Sequence, residues 1–304
     1  MSRTGCALRH NAFVYESAEE YVERSVAFLR AGLEAGEGGI VAHTRPGLAA
    51  MREALGADAE RVRFVNVETA YTRPARTLAG YHRVYVEQLR AAGSLRAVAD
   101  VQLGPDPGEW DEWVGYESVF NAAFAHLPAW VMCTYDANAL PDALLDGVWR
   151  THPEVLAGAE LAGSDRFEPP AALLPGIAAA PEPLPDLRQI PFGADIEVFR
   201  EHLASALAAE GAPEAKALDM LLAGTEIAAN AGTHGGGVAA VRVGRARGRF
   251  VCEVSDRGPG FADPTAGYIP PGRGAGTGLW VVRQLTWRLE FFHARRGFTA
   301  RIWL

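Results

Sequence analysis

The stretch GTEIAANAGTHGGG, Gly224 to Gly237, sets an acid, an amide and an imidazole four residues apart, ahead of three glycines. Four residues is slightly more than one helical turn, so Glu226, Asn230 and His234 form a polar stripe on a helix otherwise made of Ala, Ile and Leu. Such a stripe needs a partner. The glycines are a natural helix stop and the helix dipole favours an imidazole at that end, so His234 reads equally as a cap or as a contact for a ligand.

Working outward, the chain has 304 residues, 49% hydrophobic and 22% charged, which is enough for two ordinary soluble domains, each with its own core. A formal charge of -8 argues against a broad nucleic-acid surface. Arg242, Arg245, Arg247 and Arg249 read as the solvated tip of a hairpin, with a basic patch for an acidic partner as the alternative. Cys6, Cys133 and Cys252 lie far apart without metal-ligand spacing, so neither zinc nor a disulfide framework is expected, and a reducing compartment is. No signal-type apolar run and no 18-residue apolar span occur, so a cytoplasmic protein without a membrane partner is expected.

Residues 168–186, EPPAALLPGIAAAPEPLPD, carry proline too often for a helix interior or a central strand and read as a semi-rigid linker, with ALLPGI tacked onto a domain surface. The domains are then 1–167 and 187–304, with the boundary near Pro181. Upstream, NAFVY, GGIVAH, RVRFVNV, LRAVADVQL and AWVMCTYD read as strands alternating with amphipathic helices, which predicts an α/β, doubly wound, mostly parallel sheet. Downstream, two helices, a hairpin VAAVRVGRARGRFVCEVSD, a glycine-rich loop, a helix from Gly278 and a closing hairpin predict an α/β sandwich.

Two more stretches belong with the opening one. The strand RFVCEVSD ends at Asp256 and runs into RGPGF. A carboxylate there can accept from the exocyclic amine of adenine, and Gly258 and Gly260 let the backbone turn and approach a flat ring. The loop IPPGRGAGTG leads into a helix whose free first amides suit a triphosphate. Asn230 offers Mg²⁺ an oxygen, and Glu226, one turn earlier, can deprotonate an attacking hydroxyl or water.

EIAANAGTH, DRGPG and GAGTG, in this order, resemble the N, G1 and G2 boxes of the GHKL (HATPase) superfamily, the Bergerat fold of gyrase, Hsp90, histidine kinases and MutL, over about Leu187 to Leu304. The compact size, the NAxxHG continuation and the short lid between Phe261 and Gly274 look most like the anti-sigma serine kinases of the RsbW and SpoIIAB type. The resemblance implies ATP and Mg²⁺, with Glu226 as catalytic base and Asn230 as metal ligand. It gives Asp256 the adenine, with His234, Gly258 and Gly260 in the same pocket. Gly274, Gly276, Thr277 and Gly278 become the phosphate cradle, and Arg273 a contact to the γ-phosphate. It also implies a sigma factor and a STAS-type anti-anti-sigma protein as partners, and by analogy a homodimer.

The first domain has no G-x-x-x-x-G-K-[ST] loop; AGEGGIVAH is its nearest glycine cluster and lacks the lysine. HNAFVYES, VADVQL, WVGYESVFNAAF, VMCTYDANALP and RTHPEVL look similar to the MEDS sensory domain, named for methanogens, methylotrophs and the regulator DcmR, from His10 to Leu156. That implies a RecA-like or KaiC-like sheet serving as an input module for an unidentified small-molecule or protein signal. Ligands of such sheets sit beyond the carboxyl ends of the strands, here Tyr15, Glu16, His43, Asp100 and Asp136, with Glu117 and Asn121 on one helix face as further candidates. Asp136 can equally cap a turn and Asp100 be a buried hydrogen-bonded acid. Trp110, Trp113, Tyr116 and Phe120 read as core and lid packing.

Together these readings describe a signal-responsive anti-sigma factor and protein serine/threonine kinase. A non-catalytic ATP-binding partner switch keeps the same pocket residues. A sensor histidine kinase would need a dimerisation helix pair, which the proline-rich segment lacks, and a metabolic ATPase would need a substrate site in the first domain.

Overall fold

A computed structural model describes residues 7–103, 109–158, 160–177, 182–184, 186–193, 195–269, 277–293 and 297–304. The chain forms two units, Met1–Ile177 and Ala178–Leu304. Among the described residues, no helix is long and apolar enough to cross a membrane.

In the first unit, strands β1 (Arg9–Tyr15), β2 (Gly38–His43), β3 (Val62–Asn66), β4 (Leu95–Asp100), β5 (Ala129–Asp136), β6 (Glu154–Ala157) and β7 (Glu160–Gly163) make one sheet in the order β3-β2-β4-β5-β1-β6-β7. All neighbours are parallel except β6 and β7. The central strands are almost wholly buried, as expected for parallel strands covered on both faces. Helix α1 (Ala18–Glu34) starts at Ser17, whose Oγ accepts the Glu20 amide at 3.1 Å, and Glu19 and Glu20 meet the positive end of its dipole. With α2 (Arg45–Leu55) it covers one face, packing Leu29, Leu33 and Met51 against Phe13, Val41, Val98 and Met132.

A short α3 (Val67–Ala70) precedes α4 (Pro74–Ala92), which begins on a proline and ends at Gly93 with φ 78, the left-handed conformation that suits glycine at this stop. Helix α4 packs on α5 (Trp110–Ala123), and α5 packs on α6 (Asp142–Thr151). The segment read as a spacer contains a further helix, α7 (Pro170–Ile177), packed on α5, with Leu174 against Gly115 and Leu173 fully buried. Pro170 opens it, where no amide partner is needed. Pro175 removes one backbone bond from a helix of about two turns, a loss that burial of Leu173 outweighs.

The second unit holds β8 (Arg188–Ile190), α8 (Ile196–Ala209), α9 (Glu214–His234), β9 (Val238–Ala246), β10 (Arg249–Asp256), α10 (Gly278–Leu285), β11 (Arg288–His293) and β12 (Phe298–Trp303). Its sheet is antiparallel throughout, in the order β11-β12-β10-β9-β8. Phe199, Leu203 and Leu207 of α8 and Met220, Ile227 and Ala231 of α9 close over Val241, Cys252, Val254 and Ile302. The hairpin between β9 and β10 turns on Arg247 and Gly248, both at positive φ, which matches the twist of the paired strands.

Arg242 is not part of that tip. It reaches Glu253 at 3.0 Å, and Glu253 also holds the buried Arg301 at 2.7 Å. The two guanidinium groups donate to the carbonyls of Leu184 and Glu182, so the segment entering this unit is tied to the sheet by charged donors.

Candidate functional site

Helix α9 is narrow where it meets α8. A Cβ on Gly224 would lie 2.9 Å from Leu203 Cδ2, so glycine lets the helices approach and fixes how α9 is turned. Its polar stripe then falls beside a cavity of about 430 Å³ lined by Asn230, His234, Asp256, Gly260 and Gly278 among mostly apolar neighbours. Glu226 and Asn230 are half-buried and His234 is exposed.

Asp256 ends β10, where the register with β9 slips between Ser255 and Asp256. Its Oδ1 accepts the Gly258 amide at 2.8 Å, and its Oδ2 lies so close to Gly235 that a Cβ there would be 2.3 Å away. Gly258 sits on the same glycine, with its virtual Cβ 2.7 Å from Gly235 Cα. Gly297, at φ 98, could carry no side chain either, since a Cβ would come within 1.8 Å of the Asp256 carbonyl oxygen. Gly235 thus makes room for the carboxylate, Gly258 for Gly235, and Gly297 for the backbone of Asp256. Gly260, at φ 70, lies against the Phe298 ring.

The other end of the cavity meets α10. Thr277 precedes the helix without a side-chain cap bond, and a Cβ on Gly278 would lie 2.7 Å from Glu226 Oε2 and 3.6 Å from Asn230 Nδ2. The positive end of α10 therefore faces the acid and the amide of the stripe. This cradle, which one methyl group would fill, fits an anionic group held by helix amides and an oxygen-seeking cation at Asn230. Arg273, Gly274 and Gly276 lie outside the described residues.

The walls are residues that the sequence reading passed over. Phe261 meets Phe291 edge-on at 4.7 Å, and Phe291 stacks with Phe298 at 5.8 Å, giving flat apolar faces beside Asp256. Arg283, buried on α10, donates to the Ala266 carbonyl at 2.7 Å and lies 3.8 Å over the Tyr268 ring, pinning the loop after β10 to that helix. Alternation along β11 and β12 would have placed the two strand phenylalanines on the core face, but nothing local distinguishes a cavity wall from core.

In the first unit the strand-end candidates gather in part. His43 Nδ1 lies 3.4 Å from Asp100 Oδ2, and Gln102 donates to the same oxygen at 2.6 Å. Burial pulls His43 down to about 4 and pushes Asp100 up to about 6. His43 Nδ1 accepts the Thr44 amide at 2.8 Å, so a neutral imidazole stands beside the acid rather than an ion pair. Tyr15 and Tyr21 line up toward His43 with ring centroids 5.2 and 5.1 Å apart, and burial raises Tyr15 to about 12. Asp136 Oδ1 accepts the Asn138 amide and so caps a turn, while the Glu16 carbonyl accepts from the Asn138 side chain. Glu117 and Asn121 do share a helix face, but it meets His10, Cys133 and His152 instead of the strand ends. Trp113, Tyr116 and Phe120 are buried core.

A family model described as "MEDS: MEthanogen/methylotroph, DcmR Sensory domain" matches residues 9–153, and one described as "Histidine kinase-like ATPase domain" matches residues 194–302. Comparison with curated proteins gave no match. The two matched regions fall on the two units, and the second contains the cavity between Asp256 and Gly278. The chain thus carries a MEDS sensory domain fused to a histidine kinase-like ATPase domain.

Proposed function

We propose that the chain is a signal-responsive anti-sigma factor whose ATPase domain transfers the γ-phosphoryl group of ATP to a serine or threonine of a STAS-type anti-anti-sigma protein. The supporting observation is the approach of Gly278 to Glu226 and Asn230, a carboxylate and an amide near the positive end of α10, which suits a general base and a metal ligand. Asp256 would accept from the adenine amine, and Phe291 and Phe298 would flank the ring. The N-terminal turn of α10 would hold the phosphates, with Mg²⁺ at Asn230 neutralising charge as it develops. Glu226 would take the proton of the acceptor hydroxyl as its oxygen bonds to the γ-phosphorus and the bond to ADP breaks.

A histidine-kinase reading finds less support. Between the two matched regions the described residues hold one helix, the eight-residue α7, rather than a long helix pair.

The test is incubation of the full chain with labelled ATP, Mg²⁺ and the STAS-type proteins of the same organism, followed by mass spectrometry for phosphoserine or phosphothreonine. Transfer to one of them, lost in Glu226→Ala, is expected. ATP binding without transfer, together with unaltered control of the sigma factor by Glu226→Ala, would replace the kinase with a non-catalytic switch.

A further inference from the structure

On the face of the first sheet away from α1, four ligand-type side chains meet in the interior: His10 of β1, Cys133 of β5, Glu117 of α5 and His152, the residue after α6. Parallel pairing of Ala12 with Cys133 and of His10 with Val131 turns His10 and Cys133 to the same side. None of the four is more than 3% exposed. Their donor atoms all lie within 4.8 Å of one another, with His10 Nε2 3.2 Å from Cys133 Sγ and 3.8 Å from Glu117 Oε2, and His152 Nε2 3.5 Å from Glu117 Oε2.

The outer nitrogens of both imidazoles are already committed. Asn121 donates through Nδ2 to the Thr151 carbonyl at 2.8 Å, which leaves its Oδ1 to accept from His10 Nδ1 at 3.0 Å. His152 Nδ1 donates to the Val148 carbonyl at 2.9 Å. Both rings therefore turn an Nε2 lone pair inward, the arrangement that carbonyl partners impose on metal-binding histidines. At the centre, Glu117 Oε2 and His152 Nε2 find no hydrogen-bond partner among the described residues. Orphaned acceptors facing one another in a sealed interior are costly unless something positive lies between them.

We propose that His10, Glu117, Cys133 and His152 bind one divalent transition-metal ion of the zinc class. Two imidazoles, a thiolate and a carboxylate suit a borderline-soft ion, whereas Mg²⁺ and Ca²⁺ require oxygen donors. Charge points the same way, since one thiolate and one carboxylate cancel a divalent ion and leave the buried site neutral. Four protein donors leave no position for water, so the ion fixes the packing of β1, β5, α5 and the end of α6 and performs no chemistry. The spacing of the cysteines hid this set, because its members come from four separate elements.

The test uses tag-free full-length protein, its metal content measured as purified and again after chelation and reloading with Zn²⁺ or Co²⁺. About one ion per chain is expected, and the Co²⁺ form should show a thiolate-to-metal charge-transfer band. X-ray absorption should find one sulfur at about 2.3 Å and three nitrogen or oxygen donors at about 2.0–2.2 Å. Cys133→Ala should lose the band, whereas Cys6→Ser and Cys252→Ala keep it. Asn121→Leu, which leaves all donors in place, should weaken metal affinity by about 10–100-fold. The X-ray absorption measurement needs no variant, so a misfolded Cys133→Ala would not leave the question open. Folded wild-type protein that takes up no metal, a metal without a sulfur neighbour, or a band that persists in Cys133→Ala would overturn the proposal.

Discussion

The two units place polar groups in apolar surroundings in opposite ways. Around the cavity of the second unit, Asn230 is half-buried and Asp256 engages one amide through Oδ1, so polar atoms border open space, with the half-buried Glu226 one helical turn from Asn230. In the first unit, His10, Glu117 and His152 are sealed, and at the strand ends His43 and Asp100 are mostly buried. Burial there displaces His43 to about 4 and Asp100 to about 6. The difference is between polar groups that border a cavity and polar groups enclosed by the fold.

The largest effect is expected at Glu226. Glu226→Gln should lower phosphoryl transfer by about 10²–10⁴-fold. ATP affinity should stay within about threefold, because the base acts on the reaction and not on binding. Comparable losses in transfer and binding would mean that Glu226 shapes the pocket instead.

The folded state holds His43 near 4 against 6.5 for a free imidazole, so the unfolded chain takes up this proton first. Stability from His43 is complete above pH 6.5 and is lost as pH falls toward 4, by on the order of 3 kcal/mol at most. Asp100 acts in the opposite sense, since its folded value of about 6 lies above 3.8, so its protonation offsets part of that loss. Urea unfolding of the full chain, followed by hydrogen exchange at β2 and β4, should show a flatter acid limb in His43→Asn and a steeper one in Asp100→Asn. The same slope in both variants would remove the pair from the account.

A smaller effect is expected at Gly235. Alanine there would place a Cβ 2.3 Å from Asp256 Oδ2 and displace the carboxylate. Nucleotide affinity should fall about tenfold, the loss of one well-placed hydrogen bond. Unchanged affinity would mean that Asp256 has no fixed position to defend.

Much of the second unit was legible because its chemistry is local in the chain. Glu226, Asn230 and His234 fall on one helix at a spacing that sequence alone translates into a face, and Asp256 stands where a strand gives way to glycines. The alternation of strands and helices likewise announced the parallel sheet of the first unit. What escaped was assembled over distance. Phe261, Phe291 and Phe298 become a cavity wall only when β11 and β12 pair, and His10 meets His152 only when the sheet closes. Helix α7 escaped for another reason: its two prolines argue against a helix, and only packing on α5 with burial of Leu173 reverses that preference.

The cavity between Asp256 and Gly278 is expected to take an adenine nucleotide by its base. Equilibrium dialysis of the full chain with labelled ATP and Mg²⁺ measures this directly. One saturable site is expected in the wild type, weakened by about 10–100-fold in Asp256→Asn, where a charged acceptor is lost. No retained ATP in the wild type, or equal retention by the two proteins, would contradict the account.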